Sequence, residues 1–150
     1  MKSDDMNRNM RYVNRWILVF VCLAVLVVTS CQEQQIPPAS QAFIDQHFSH
    51  VNIVLVELDH DDDGMEYSVW FNDGMRVDFD ETGEWKRISR KKTGVPAALI
   101  PPAIARYAKE QYPEEAIFKL SKKTYGYKIE LSNEIVVKFD PQFQFLSAED

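Results

Sequence analysis

Hydrophobic positions form two matching series along this chain. Between residues 37 and 53, apolar side chains recur at helical spacing, at Phe43, Ile44 and Phe48. Between residues 101 and 117 they do so again, at Ile104, Tyr107, Ala108 and Tyr112. After each helical stretch the period falls to two. Tyr67, Val69 and Phe71 alternate with polar residues, and so do Tyr127, Ile129 and Leu131. That period belongs to a strand with one buried face. Met75, Val77 and Phe79 run back in the first series, Ile135, Val137 and Phe139 in the second. "NIVLVEL" and "AIFKLSK" supply a strand before each pair, and Trp85 and Phe145 mark a short last strand. Each series therefore predicts one αββββ unit.

The units align as a duplication. Shifted by 64 residues, "PPASQAFIDQHFSHVNI" falls on "PPAIARYAKEQYPEEAI". Shifted by 60, "YSVWFNDGMRVDFD" falls on "YKIELSNEIVVKFD". One supersecondary unit written twice accounts for both matches. Pro37-Pro38 and Pro101-Pro102 open the helices, where a missing N–H costs nothing. Asp73-Gly74 predicts a type I′ hairpin, because glycine accepts positive φ. The second copy reads Ser132-Asn133-Glu134 there, and Phe143 stands where the first has Gly83. A looser second hairpin is the expectation.

Alternation assigns the faces. The helices are expected over Tyr67, Val69, Phe71, Val77, Phe79 and their copies. The other face then shows Ser68, Trp70, Arg76 and Asp78 in the first unit, and Lys128, Glu130, Val136 and Lys138 in the second. The linker "SRKKTGVPAALIPP" carries Val95, Leu99 and Ile100, which predicts packing at the joint. Its basic run, Arg87, Arg90, Lys91 and Lys92, reads as a solvated loop. The expected architecture is α+β: two tandem αββββ repeats (37–89 and 101–148, joined by 90–100) forming one antiparallel sheet with helices on one face.

The first thirty residues change the picture. Lys2, Arg8, Arg11 and Arg15 precede thirteen apolar residues, Trp16–Val28. In a helix these reach about 20 Å, short of a ~30 Å hydrocarbon core. A basic flank and a short apolar run read as an export signal. Val28-Thr29-Ser30-Cys31 resembles the lipobox of bacterial lipoproteins, which implies lipidation of Cys31 after removal of residues 1–30. Residues 31–36 would then be a tether and 37–150 the folded domain. Gln32 stands where an Asp would favour inner-membrane retention, so the periplasmic side of the outer membrane is expected, with cell-surface exposure open. Cys22 leaves with the signal, so no thiol remains for a disulfide or a nucleophile.

Residues 31–150 hold 13 Lys and Arg against 21 Asp and Glu. The imbalance is local: residues 31–89 carry net −10 and residues 90–150 net +2. No clustered basic face suits nucleic acid. The polarity reads either as plain solubility or as a surface that steers a protein partner.

Several short stretches resemble one family. They are "QYPEEAI", "GYKIEL" and "VVKFD", with "YSVWFNDGMRVDFDETGEWKRI" in the first copy. Over roughly residues 37 to 148 the pattern resembles the PepSY-like, β-lactamase-inhibitor-like periplasmic proteins. The resemblance implies two tandem repeats in one antiparallel sheet with helices on one side. In the related inhibitor fold the open sheet face docks a protein. No catalytic residues come with the family.

Candidate chemistry is sparse. "DHDDDG", residues 59–64, spells the opening of a calcium loop. An EF-hand needs a bidentate Glu at its twelfth position, and Trp70 stands there, so that motif fails. A weak Ca²⁺ site from Asp59, Asp61 and Asp63 stays open beside a solvated hairpin tip. His47 and His50 lie i,i+3 on a helix, and two ligands do not make a zinc site. Ser89–Gly94 contains S-x-x-K and K-T-G in one overlapping stretch, whereas penicillin-recognising enzymes keep them far apart. Asp80 and Asp140 precede turns and read as turn residues. Trp70 on the wet face, beside Arg76 and Asp78, has the composition of an interaction hot spot. Alternatively it lies beneath the linker or the N-terminal segment.

These readings point to a lipid-anchored periplasmic binding or inhibitor-like module rather than an enzyme. It takes a protein or peptide on Trp70, Arg76, Asp78, Lys128, Glu130 and Lys138, and requires no cofactor. The alternatives are a Ca²⁺-binding or structural envelope protein and, third, a small hydrolase.

Overall fold

The structure, a computed structural model, describes residues 36–61 and 64–150. The first unit contains α1 (Pro38–His47), β1 (Ile53–Asp61), β2 (Gly64–Phe71), β3 (Arg76–Asp80) and β4 (Trp85–Ser89). A single 3-10 turn, Ala97–Leu99, lies in the linker. The second unit contains α2 (Pro102–Gln111), β5 (Ile117–Lys123), β6 (Gly126–Leu131), β7 (Val136–Phe139) and β8 (Phe145–Glu149). All eight strands form one antiparallel sheet in sequence order. The expected α+β duplication is thus present.

One apolar row crosses the whole sheet. Val56, Val69, Val77, Ile88, Leu120, Ile129, Val137 and Ala148 are successive cross-strand partners. The six central members are fully buried. Each such side chain contributes about 1.5–3 kcal/mol relative to exposure. Both helices cover this face. Phe43 of α1 meets Phe79 edge-on at 5.8 Å, and Tyr107 of α2 meets Phe139 edge-on at 5.3 Å. Pro38 and Pro102 open the helices, and the N–H groups of Phe48 and Tyr112 close them on Ile44 O and Ala108 O.

The joint is part of the sheet. Arg87, Ile88 and Ser89 of β4 pair with Ser121, Leu120 and Lys119 of β5. The linker is bound alongside: Val95 N donates to Ile117 O at 2.8 Å, and Val95 is buried. Leu99 and Ile100 pack on the core, as expected. The basic run is not one solvated loop. Arg87 lies within β4, and Arg90 pairs with Asp73 at 2.9 Å. Only Lys91 and Lys92 of that run are exposed.

The β2–β3 hairpin also differs from expectation. Phe71 N donates to Met75 O at 2.9 Å across a three-residue loop, and Gly74 alone takes positive φ, at 83°. A type I′ turn needs two such residues; this geometry is a turn closed by one left-handed residue. The second hairpin is no looser. Leu131 N donates to Ile135 O at 2.9 Å, with Glu134 at φ 71°. The β7–β8 turn likewise repeats β3–β4, with Phe143 at φ 62° in the place of Gly83 at 88°. The second copy keeps the ring of hydrogen bonds and accepts backbone strain to do so.

Candidate functional site

Among the described residues no secondary structure covers the face opposite the helices, and its side chains fall into rows across the strands. One row holds Leu55, Trp70, Arg76, Ser89, Lys119, Glu130, Val136 and Glu149. The next holds Glu57, Ser68, Asp78, Arg87, Ser121, Lys128, Lys138 and Ser147. All eight residues assigned to this face by alternation lie on it.

In the first half they form a closed network. Asp78 is fully buried, although it belongs to the open face. Arg76 Nε donates to Asp78 Oδ1 at 2.5 Å, and Arg87 Nε donates to Oδ2. The second arm of Arg76 donates to Ser68 Oγ at 2.8 Å, and that of Arg87 to Glu66 Oε1 at 2.9 Å. Burial pushes the Arg87 guanidinium down, but the charges of Asp78 and Glu66 outweigh it and hold it above its ordinary value. Trp70 lies half-buried beneath Arg76, whose guanidinium sits 5.0 Å from the ring centre. Its indole N–H donates to Glu57 Oε2 at 3.2 Å. Asp78 therefore positions two arginines and offers a partner nothing itself.

In the second half the charges stay near the surface. Lys119 pairs with Glu130 and Lys138 with Glu149, each at 2.5 Å. The hydrogen bond that Lys138 donates to Glu149 raises its ammonium above the usual value. Lys128 faces Lys138 directly across β6 and β7. Burial lowers the Lys128 ammonium, and Lys123 and Lys119 lower it further.

The other candidates sort as follows. Asp59 pairs with Glu66 across β1 and β2, and Asp61 with Gly64. Asp59 Oδ1 accepts the N–H of His60, and Glu66 is held by Arg87. Among the described residues no group of three His, Cys, Asp or Glu could hold a metal ion. Asp63 lies outside the described residues, as do Cys31 and the apolar run before it. His47 packs on Phe43 at 4.6 Å. Asp80 Oδ1 accepts from Thr82 and Glu84, and Asp140 Oδ1 from Gln142 and Gln144, so both serve their turns.

Sequence reasoning missed Arg87, Glu66 and Glu57. Strict alternation from Trp85 sends Arg87 to the helix face. A register shift between Asp78 and Phe79 turns it to the open face instead. The signal was present: Trp85 and Ile88 are apolar three apart, which an unbroken strand does not produce.

The chain was compared with known proteins. A comparison with curated proteins gave no match. Among solved structures, a Bacteroides thetaiotaomicron protein described as a "putative calcium-regulated periplasmic protein" is 35% identical, with TM-score 0.72. The match covers 78% of this chain and 92% of that one. A Bacteroides vulgatus protein described as a "putative periplasmic protein of unknown function" is 31% identical over 78% of this chain and 94% of its own, with TM-score 0.72. A further periplasmic protein of that organism is 31% identical, over 78% and 92%, with TM-score 0.70. The model of one family, "Putative beta-lactamase-inhibitor-like, PepSY-like", matches residues 65–147, from β2 into β8. With the duplication, the single sheet and these matches together, the chain belongs to the PepSY-like family.

Proposed function

We propose that this chain is a lipid-anchored periplasmic module that docks a protein or peptide on the open face of its sheet. One observation carries the reading: both helices lie on the same side of an eight-stranded sheet, and the other side presents ordered charge around Trp70. Aromatic and arginine side chains held rigid in this way are what interfaces use as anchors. The family's inhibitor-like description and the periplasmic neighbours support it. The anchor is lipid on Cys31, at the outer membrane, with the domain facing the periplasm.

Site-specific photo-crosslinking tests the docking. Benzoylphenylalanine replacing Leu55 on the open face is expected to yield a discrete protein adduct in living cells. The same group replacing Lys109 on α2 is expected to yield none. Adducts of equal yield from both positions contradict the reading. Labelling with radioactive palmitate tests the anchor, which Cys31→Ser is expected to abolish.

A second reading draws on the calcium-regulated neighbour. Asp59, Asp61 and Asp63 would supply carboxylates for a weak Ca²⁺ site at the β1–β2 tip. Calorimetry of the full chain with CaCl₂ decides it: no heat and no change in melting dismisses the site.

A further inference from the structure

The two halves differ in charge at equivalent positions of one row, with Asp78 answered by Lys138. The first half has Ser68 beside Asp78; the second has Lys128 beside Lys138. Like charges directly opposed across strands destabilise a sheet, and the first half shows that the fold does not require them. Lys138 is drawn to Glu149 at 2.5 Å and Lys119 to Glu130 at 2.5 Å. Lys128 lies between these pairs, and among the described residues no carboxylate comes within ion-pair distance of it. Its ammonium is held below the ordinary value by burial, by Lys123 and by Lys119, a condition that an arriving anion would relieve.

We propose that the second half of the open face binds an acidic segment of a protein partner, with a carboxylate seated between Lys128 and Lys138 where the first half carries its own Asp78. The inference rests on the docking reading above and adds the chemistry of the partner. A protein suits the surface better than a lipid headgroup layer. Glu130 and Glu149 stand in the neighbouring row beside the lysines, so the face matches discrete charges rather than a uniformly anionic plane.

The test uses the full chain in its native cells, with benzoylphenylalanine replacing Ser147 on β8, beside Lys138. Three chains are compared: otherwise unaltered, Lys128→Glu with Lys138→Glu, and Lys91→Glu with Lys92→Glu in the exposed linker as a control of equal charge. The expected result is one protein adduct whose yield falls about tenfold or more in the β6–β7 reversal and is unchanged in the linker reversal. In permeabilised cells an octaglutamate peptide should compete and an octalysine peptide should not. Lys128→Gln with Lys138→Gln, expected to give an intermediate loss, replaces the reversal if that variant fails to fold. An adduct that survives reversal and octaglutamate overturns the acidic partner while docking stands. No adduct from either Ser147 or Leu55 overturns docking and this inference together. An adduct of twice the chain's mass identifies a second copy, and label consumed without added protein mass identifies lipid; either result overturns the proposal.

Discussion

Asp78 is fully buried between Arg76 and Arg87, whereas its counterpart Lys138 reaches the surface and pairs with Glu149. On the helix face the middle strands of the two halves match: Val77 and Val137 occupy one apolar row and are equally buried. Duplication therefore constrained one side of the sheet and released the other. The shared interior must fit both helices, so its residues kept size and polarity. Among the described residues the open face has no such partner. Its first half turned its charges inward on one another, and its second half left them pointing out.

The comparison breaks most directly at Asp78. Asp78→Ala removes the buried carboxylate that Arg76 and Arg87 share, leaving Glu66 to Arg87. It is expected to destabilise by about 3 kcal/mol, the low end for a broken buried ion pair, because both arginines keep partial contact with solvent. Lys138→Ala should leave the urea midpoint where it was. Equal midpoints for the two variants would remove the distinction between the halves.

Gly83 and Phe143 give the next largest contrast. A Cβ on Gly83 would stand 2.8 Å from Ser40 N and 2.9 Å from Ala39 Cβ, at φ 88°. Gly83→Ala is expected to cost about 2–3 kcal/mol, since left-handed strain of about 1–2 kcal/mol adds to that collision. Phe143 already tolerates this backbone, and its ring packs on Tyr127 at 4.9 Å. Phe143→Ala should lose only that packing, and thermal melts of the two variants rank them.

The β2–β3 and β6–β7 turns sharpen the contrast with opposite signs. Gly74 has open space around it, so Gly74→Ala measures conformational strain alone, about 1 kcal/mol of destabilisation. Glu134→Gly relieves the same strain in the other copy. It is expected to stabilise by about 0.5 kcal/mol, the gain being reduced by the freer unfolded chain. Chemical denaturation of both variants checks the pair.

The smallest effect is expected at low pH. Burial raises the Asp80 carboxyl, but hydrogen bonds from Thr82, Glu84 and Gly83 outweigh it and leave it below its ordinary 3.8. As pH falls, the unfolded chain takes up this proton first, so the contribution of Asp80 is lost as pH drops through the folded value. Asp80→Asn should therefore flatten the stability profile in that acidic window, and urea midpoints measured across it would show no change if the bonds carry no weight.

The sequence made the duplication and the two faces legible because a sheet covered on one side writes its burial as a period of two. Trp70, Arg76, Lys128, Glu130 and Lys138 followed from that period alone. Arg87 did not, because a bulge changes phase and one extra residue reverses which side a strand shows. The burial of Asp78 depends on that same bulge, since its second arginine arrives from β4. The strained turns were hidden for another reason. Glu134 and Phe143 are poor residues for positive φ, and tertiary pairing of the strands overrode their preference.

Gly83 also bears on how the domain carries tension. Ser40 Oγ donates to Gly83 O at 3.4 Å, so a hydroxyl of α1 laces it to the main chain of that turn. Both helices pack through rings, and α2 has Tyr107 stacked on Phe145 at 5.3 Å. If the proposed lipid sits on Cys31, a pull on it would arrive at Pro38, seven positions further on. The first element to feel such a pull would be α1, whose hydroxyl clasp must shear to yield, while the second helix and its peelable rings come later along the rope.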